Sequence, residues 1–159
     1  MKSKVKPIPD GYHVVTPYLM INGAAKAIDF YKKAFGAKEV GRLSMGPQVG
    51  HCELQIGDSK IMLADVNPEW GHKGPEALGG SPVSICLYVE DVDAVYKKAI
   101  EAGAKADRNG EVKDQFYGDR SGSIVDPFGH KWTIATRIEN VSFPEMEKRM
   151  QAMYKEQHA

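Results

Sequence analysis

Apolar and polar positions alternate with a period of two along several stretches of this chain, and fall into a three-to-four spacing along others. The alternation predicts strands over residues 14–21, 38–45, 50–56 and 60–65. Between the first two, Ala24, Ala27, Ile28, Tyr31 and Phe35 share one face at helical spacing, which predicts a helix over 24–35 closed by Gly36. Gly57-Asp58 is a hairpin signal between the last two strands. The same order then returns. It runs as a strand over 83–90, a helix over 92–102, and strands near 104–113, 121–126 and 131–137. Asp126-Pro-Phe-Gly129 has the proline and glycine that a type I turn wants. Each half therefore reads βαβββ, and the chain is α+β with two such modules.

The halves also match in detail. Tyr31-Lys-Lys-Ala34 pairs with Tyr96-Lys-Lys-Ala99, and Gly36-Ala-Lys38 with Gly103-Ala-Lys105. Gly57 to Ala64 pairs with Gly129 to Ala135, so the offset is about 65–72 residues, the length of a duplicated module. The expected organisation is one domain over residues 1–140 built from modules 12–66 and 82–138. A Gly- and Pro-rich linker over 67–81, carrying Trp70, joins them. Ser142-Phe-Pro-Glu145 is a capping box that opens a C-terminal helix within 141–159. Its stripe of Phe143, Met146, Met150, Met153 and Tyr154 suits packing on its own sheet or on a second subunit.

Charge narrows the partners. Lys+Arg and Asp+Glu are both 21, so the chain lacks the basic footprint that phosphate backbones demand, and nucleic acid and anionic membrane are poor partners. Two cysteines, Cys52 and Cys86, are too few for a disulfide framework and read as small buried hydrophobes. No apolar run follows Met1-Lys-Ser-Lys4, and no stretch approaches the roughly 18 apolar residues of a membrane span. The expectation is a cytoplasmic protein without a leader.

The duplicated βαβββ pattern resembles the vicinal-oxygen-chelate superfamily, which includes glyoxalase I, bleomycin-resistance proteins and extradiol dioxygenases. Finer matches resemble its PhnB-like branch. They are Ala27-Ile-Asp-Phe-Tyr-Lys-Lys-Ala-Phe-Gly36, Gly57-Asp-Ser59, Leu87-Tyr-Val-Glu-Asp-Val-Asp93, and Tyr117-Gly-Asp-Arg120 followed by Asp126-Pro-Phe-Gly-His130. The resemblance spans about residues 12–138. It implies two curved mixed sheets, each with a helix-covered convex face and a concave face that cups a ligand, and it implies a homodimer. A shared fold does not fix an activity.

Alternation assigns the faces. Val15, Leu19, Ile21, Cys52, Leu54, Ile56, Ile85, Leu87, Val89, Trp132 and Ile134 point to helices. Thr16, Tyr18, Met20, His51, Glu53, Gln55, Ser84, Cys86, Tyr88, Lys131, Thr133 and Ala135 point to the concave side. Metal-dependent relatives place one ligand on the first and last strand of each module. The resemblance puts these positions at Thr16, Met62, Ser84 and Thr133. None is a good ligand for a divalent metal, so no metal or cofactor is expected, and glyoxalase I, extradiol dioxygenase and metal-dependent fosfomycin-type activities are disfavoured.

Three groups could act on a ligand. His51, Glu53 and Gln55 lie together on one strand face, as an acid–base pair or as an ordinary wet face. In Gln115-Phe-Tyr-Gly-Asp-Arg120, the Arg120 fork suits a carboxylate or phosphate-like group, or fixes a bulge near Gly118 with Asp119, and Tyr117 adds a flat surface and a hydroxyl. Trp70 either closes over an aromatic ligand or anchors its loop. The expected site joins Tyr18, Met20, Trp70, Tyr88 and Tyr117 with Glu53 and Arg120 around a planar or amphipathic small molecule held for sequestration. The alternative is an enzyme using His51 and Glu53, with or without a metal.

Overall fold

A computed structural model describes residues 5–159; Met1–Lys4, on which the expected lack of a leader rests, lie outside the described residues. The chain forms two compact units. The first runs to Pro82 and includes Pro127–His130, and the second holds Val83–Asp126 and Lys131–Ala159.

The first unit is built on strands β1 (Tyr18–Ile21), β2 (Lys38–Met45), β3 (Gln48–Ile56) and β4 (Ser59–Asp65), with helix α1 (Ala24–Phe35). The sheet order is β1-β4-β3-β2, with β1 parallel to β4 and the other pairs antiparallel. Alternation decides which face α1 covers. Leu19, Ile21, Cys52, Leu54, Ile61 and Leu63 are buried, as are Ala24, Ala27, Ile28 and Tyr31 on the apolar stripe of the helix. His51, Glu53, Gln55, Met20 and Met62 alternate with them on the other face and stay partly open.

Both ends of α1 are closed locally. Gly36 takes the left-handed conformation at φ 65° and returns its amide to the Lys32 carbonyl. At the start no side chain of the cap residue helps, and the Asp65 carboxylate from the end of β4 takes the Gly23 and Ala24 amides instead. Strand β1 is shorter than its alternation predicts. Pro17 has no amide to give a ladder, so Val14 and Val15 stay outside the sheet, 84% and 83% exposed.

The segment predicted as a linker carries structure of its own within the first unit. Pro68–Trp70 forms a 3-10 turn capped by the Asn67 side chain, and Pro75–Leu78 forms the short helix α2.

The second unit pairs β5 (Ser84–Tyr88), β9 (Lys131–Arg137), β8 (Asp119–Val125) and β6 (Lys105–Ala106) in that order, with β7 (Lys113–Asp114) also on β8. Helix α3 (Val92–Glu101) starts where Asp91 accepts the Ala94 amide at 3.0 Å. Trp132 and Ile134 are buried, and the Trp132 indole donates to Asp126 at 3.0 Å. The strand predicted over 104–113 is broken. Asn109 is left-handed at φ 57°, and the Gly110 amide closes a turn onto the Asp107 carbonyl at 2.8 Å, which leaves only β6 and β7 on the sheet.

The C-terminal helix α4 (Phe143–Gln157) opens on Ser142, whose hydroxyl accepts the Glu145 amide. Arg149 ties it to Glu139 and the Phe116 carbonyl, and pairs with Glu145 one turn back in the helix. The helix buries none of its residues. Among the described residues no helix is long and apolar enough to cross a membrane.

Candidate functional site

The first unit gathers a connected polar cluster on the sheet face that α1 leaves open. Strand β4 lies between β1 and β3, and the Tyr18 and His51 side chains reach across it. The Tyr18 hydroxyl is 2.7 Å from His51 Nδ1, and His51 Nε2 is 3.3 Å from Glu53 Oε1. The two rings meet at 5.4 Å between centroids and 51° between planes. Met20 and Met62 supply apolar surface on the same face.

Two further residues complete this cluster, and neither was singled out in the sequence. Tyr12 precedes the first strand, where no periodicity marks a face. Its enclosed hydroxyl faces Glu53, with no partner at ordinary hydrogen-bond geometry among the described residues. Lys60 lies on β4 with its ammonium 4.3 Å from the centre of the Tyr12 ring and its Nζ reaching the Asp10 carbonyl. Only the alternation of β4 hinted at Lys60.

The electrostatics follow from these neighbours. The Tyr12 phenol, then His51, hold the Glu53 carboxyl below the ordinary carboxylate range. Burial and the Glu53 anion push the Tyr12 phenol up to about 12. Burial also raises the Tyr18 phenol. Glu53 is therefore a carboxylate at neutral pH, while both phenols keep their protons.

The remaining expected site residues stand apart from this cluster. Gln55 donates to the Gly57 carbonyl at 2.8 Å and so braces the β3–β4 hairpin. Trp70 is 62% exposed, with its ring edge-on to His72. In the second unit the Tyr88 hydroxyl donates to the buried Asp119 carboxylate at 2.6 Å, and Arg137 Nε reaches the other oxygen at 3.0 Å. Bonding to Asp119, then burial, pushes the Tyr88 phenol up. Tyr117 packs edge-on to Phe116, with its hydroxyl 3.3 Å from Ser121 Oγ.

Arg120 requires a correction. It shares the side of β8 with Gly122, which lies against the Tyr96 ring of α3, so it projects toward the helix rather than the open face. Its Nε and one terminal nitrogen bind Asp93 at 2.8 and 2.9 Å, and the other terminal nitrogen binds Asp114 at 2.9 Å. These bonds engage all three guanidinium nitrogens.

The four positions implied for metal ligands can be tested by register. Met62 pairs with Tyr18, two residues beyond Thr16, and Thr133 pairs with Cys86, two residues beyond Ser84. The four are therefore equivalent positions in the two sheets. Their side chains are three hydroxyls and a thioether, a donor set that does not fit a divalent metal. Ser84, Thr133 and Ser123 instead bond to one another in a line, at 3.2 and 3.1 Å. Among the described residues no group of three His, Cys, Asp or Glu side chains is placed to hold a metal.

The comparisons with known proteins agree with this architecture. An uncharacterized protein of Mycobacterium bovis is 42% identical over 141 residues, covering 86% of this chain and 91% of that protein. The crystal structure of an Arabidopsis thaliana gene product superposes with a TM-score of 0.64 at 30% identity, over 78% of this chain and 98% of that one. A bleomycin resistance determinant encoded on the transposon Tn5 shares the fold, with a TM-score of 0.57 at 23% identity, over 79% of this chain and 98% of that one. The family model for the Glyoxalase/Bleomycin resistance protein/Dioxygenase superfamily matches residues 12–134, and with that coverage the chain belongs to this superfamily.

Proposed function

We propose that this chain is a PhnB-like, metal-independent binding protein that sequesters a small planar or amphipathic molecule in the cytoplasm. The open face of the first sheet is the binding surface, with Tyr18, Met20, His51 and Glu53 in contact with the ligand. The observation that carries this reading is the chemistry of the four equivalent ligand positions, Thr16, Met62, Ser84 and Thr133, which lack metal-binding donors. The Tn5 bleomycin resistance determinant, which shares the fold, gives the binding class its precedent.

Metal content of protein purified without added metal or chelator tests the first half. Stoichiometric zinc, nickel or iron that disappears in His51→Ala or Glu53→Ala overturns it. A panel of planar cations and aromatics, followed by isothermal titration calorimetry, tests the second half. Micromolar binders are expected, and silence across the panel counts against sequestration.

A homodimer belongs to the same proposal. Helix α4 supports it by leaving Phe143, Met150, Met153 and Tyr154 exposed along one stripe. Sedimentation showing only monomer at micromolar concentration refutes it. A second reading, an enzyme using His51 and Glu53, is favoured by the hydrogen-bonded line from Tyr18 through His51 to Glu53.

A further inference from the structure

The direction of the protons in that line is fixed by its far end. A carboxylate only accepts hydrogen bonds, so the His51 nitrogen facing Glu53 must carry the hydrogen. In the neutral imidazole the other nitrogen, Nδ1, is then a bare lone pair. That lone pair sits 2.7 Å from the Tyr18 oxygen, so the Tyr18 hydroxyl is the donor. Tyr18 is the exposed end of the line, with 42% of its surface open, whereas His51 and Glu53 are half-buried behind it. A phenol backed by an oriented base, with the base backed by a carboxylate, is the arrangement that moves a proton at the first member of the line.

We propose that Tyr18 is a catalytic proton-exchange residue that takes a proton from an O–H or N–H group of a bound ligand while passing its own to His51 Nδ1. The ligand atom keeps the electron pair and becomes a nucleophile. Tyr18 ends as it began, and the imidazolium formed at His51 faces Glu53. Return of the proton runs the same path backwards. The step needs no metal and no further reactant. His51 is the base, and Glu53 is a positioning residue that selects its tautomer. The inference rests on reading this face as the ligand surface, but the test below needs no ligand, so a silent binding panel and an inert Tyr18 are separate failures.

An aryl sulfonyl fluoride reports on the phenol directly. The Tyr18 oxygen forms the new bond to sulfur, the sulfur–fluorine bond breaks, fluoride leaves with the electron pair, and the phenolic proton goes to Nδ1. Labelling of the full chain is mapped by mass spectrometry, with N-acetyltyrosine amide in the same tube as the unassisted phenol. Tyr18 is expected to label on the order of 10²-fold faster than the free phenol, the low end of what a positioned base supplies. His51→Gln is expected to remove that excess, and Glu53→Ala to lower it about tenfold. A Tyr18 no faster than the free phenol overturns the proposal, as does an excess that survives in folded His51→Gln. Nitrogen-15 shifts of the unsubstituted protein give a second reading independent of any variant. They are expected to show His51 protonated at Nε2 and bare at Nδ1, and the opposite tautomer refutes the relay.

Discussion

The Asp65 carboxylate takes the Val49 amide at 2.7 Å, joining the end of β4 to the start of β3. Its other oxygen takes the Gly23 and Ala24 amides at the start of α1, at 3.1 and 2.9 Å. One side chain thus fixes the helix entry and the strand that carries His51 and Glu53. Asp65→Ala leaves three amides without this acceptor, and a loss of about 2–3 kcal/mol in unfolding free energy is expected. Asp65→Asn keeps an acceptor for the helix and is expected to lose about half of that. Urea unfolding measures both, and an unchanged midpoint for Asp65→Ala would show that the carboxylate does not hold the two elements.

Acid should weaken the first unit through Glu39. Hydrogen bonds from Arg42, then from Lys32, hold its carboxyl down at about 2. A depressed folded-state pKa gives stability that is complete above the ordinary carboxylate range, and that stability disappears as pH falls through about 2. The trio lies near the surface, so after screening its contribution is about 1 kcal/mol. Glu39→Gln is therefore expected to melt below the unsubstituted protein at pH 7 and to converge with it as the pH approaches about 2. Parallel melting curves at both ends of that range would contradict the assignment.

Much of this was legible in the sequence wherever a period set it. The alternation along β3 separated buried Cys52, Leu54 and Ile56 from half-buried His51, Glu53 and Gln55. It could not show that Tyr18 meets His51, because that contact crosses β4 and depends on a strand order no local pattern encodes. Tyr12 was invisible because its segment has no period. Arg120 was misplaced because its motif was read as a single cluster. In the structure Asp119 stays on the open side with Tyr88, and the next residue points to α3. The broken strand over 104–113 had a signal in Asn109-Gly110, a dipeptide that favours turns, which the strand reading passed over.

Gly129 should tolerate no side chain. It sits at φ 92°, where L side chains are strained, and a Cβ there would lie 2.7 Å from Pro75 Cβ. The following residue, His130, places Nε2 3.1 Å from the Met20 carbonyl on β1, so the turn also supports the strand that carries Tyr18. Gly129→Ala is expected to cost about 2 kcal/mol or more, from the left-handed conformation together with the displaced proline. Calorimetry with a Pro75→Gly partner, which removes the Cβ that the new methyl would meet, separates the two. A double variant that recovers nothing would assign the whole loss to the backbone.

Tyr12→Phe separates electrostatics from stability at the site. The Tyr12 hydroxyl is enclosed and, among the described residues, has no partner at ordinary hydrogen-bond geometry, so its removal loses at most a long contact with the Glu53 carboxylate. It leaves the ring beneath Lys60 and removes a polar group that lost its water on burial. The melting temperature is therefore expected to stay the same or to rise. The same hydroxyl is the main influence holding Glu53 below the ordinary carboxylate range, ahead of His51. In Tyr12→Phe, Glu53 should titrate higher, toward the value near 4.3 of a free glutamate. Carbon-13 titration of the carboxyl measures that shift, and a thermal melt measures the stability. A clear fall in melting temperature would mean that the Tyr12 hydroxyl and Glu53 are bonded in solution. An unshifted Glu53 would mean instead that His51 and Lys60 set its charge.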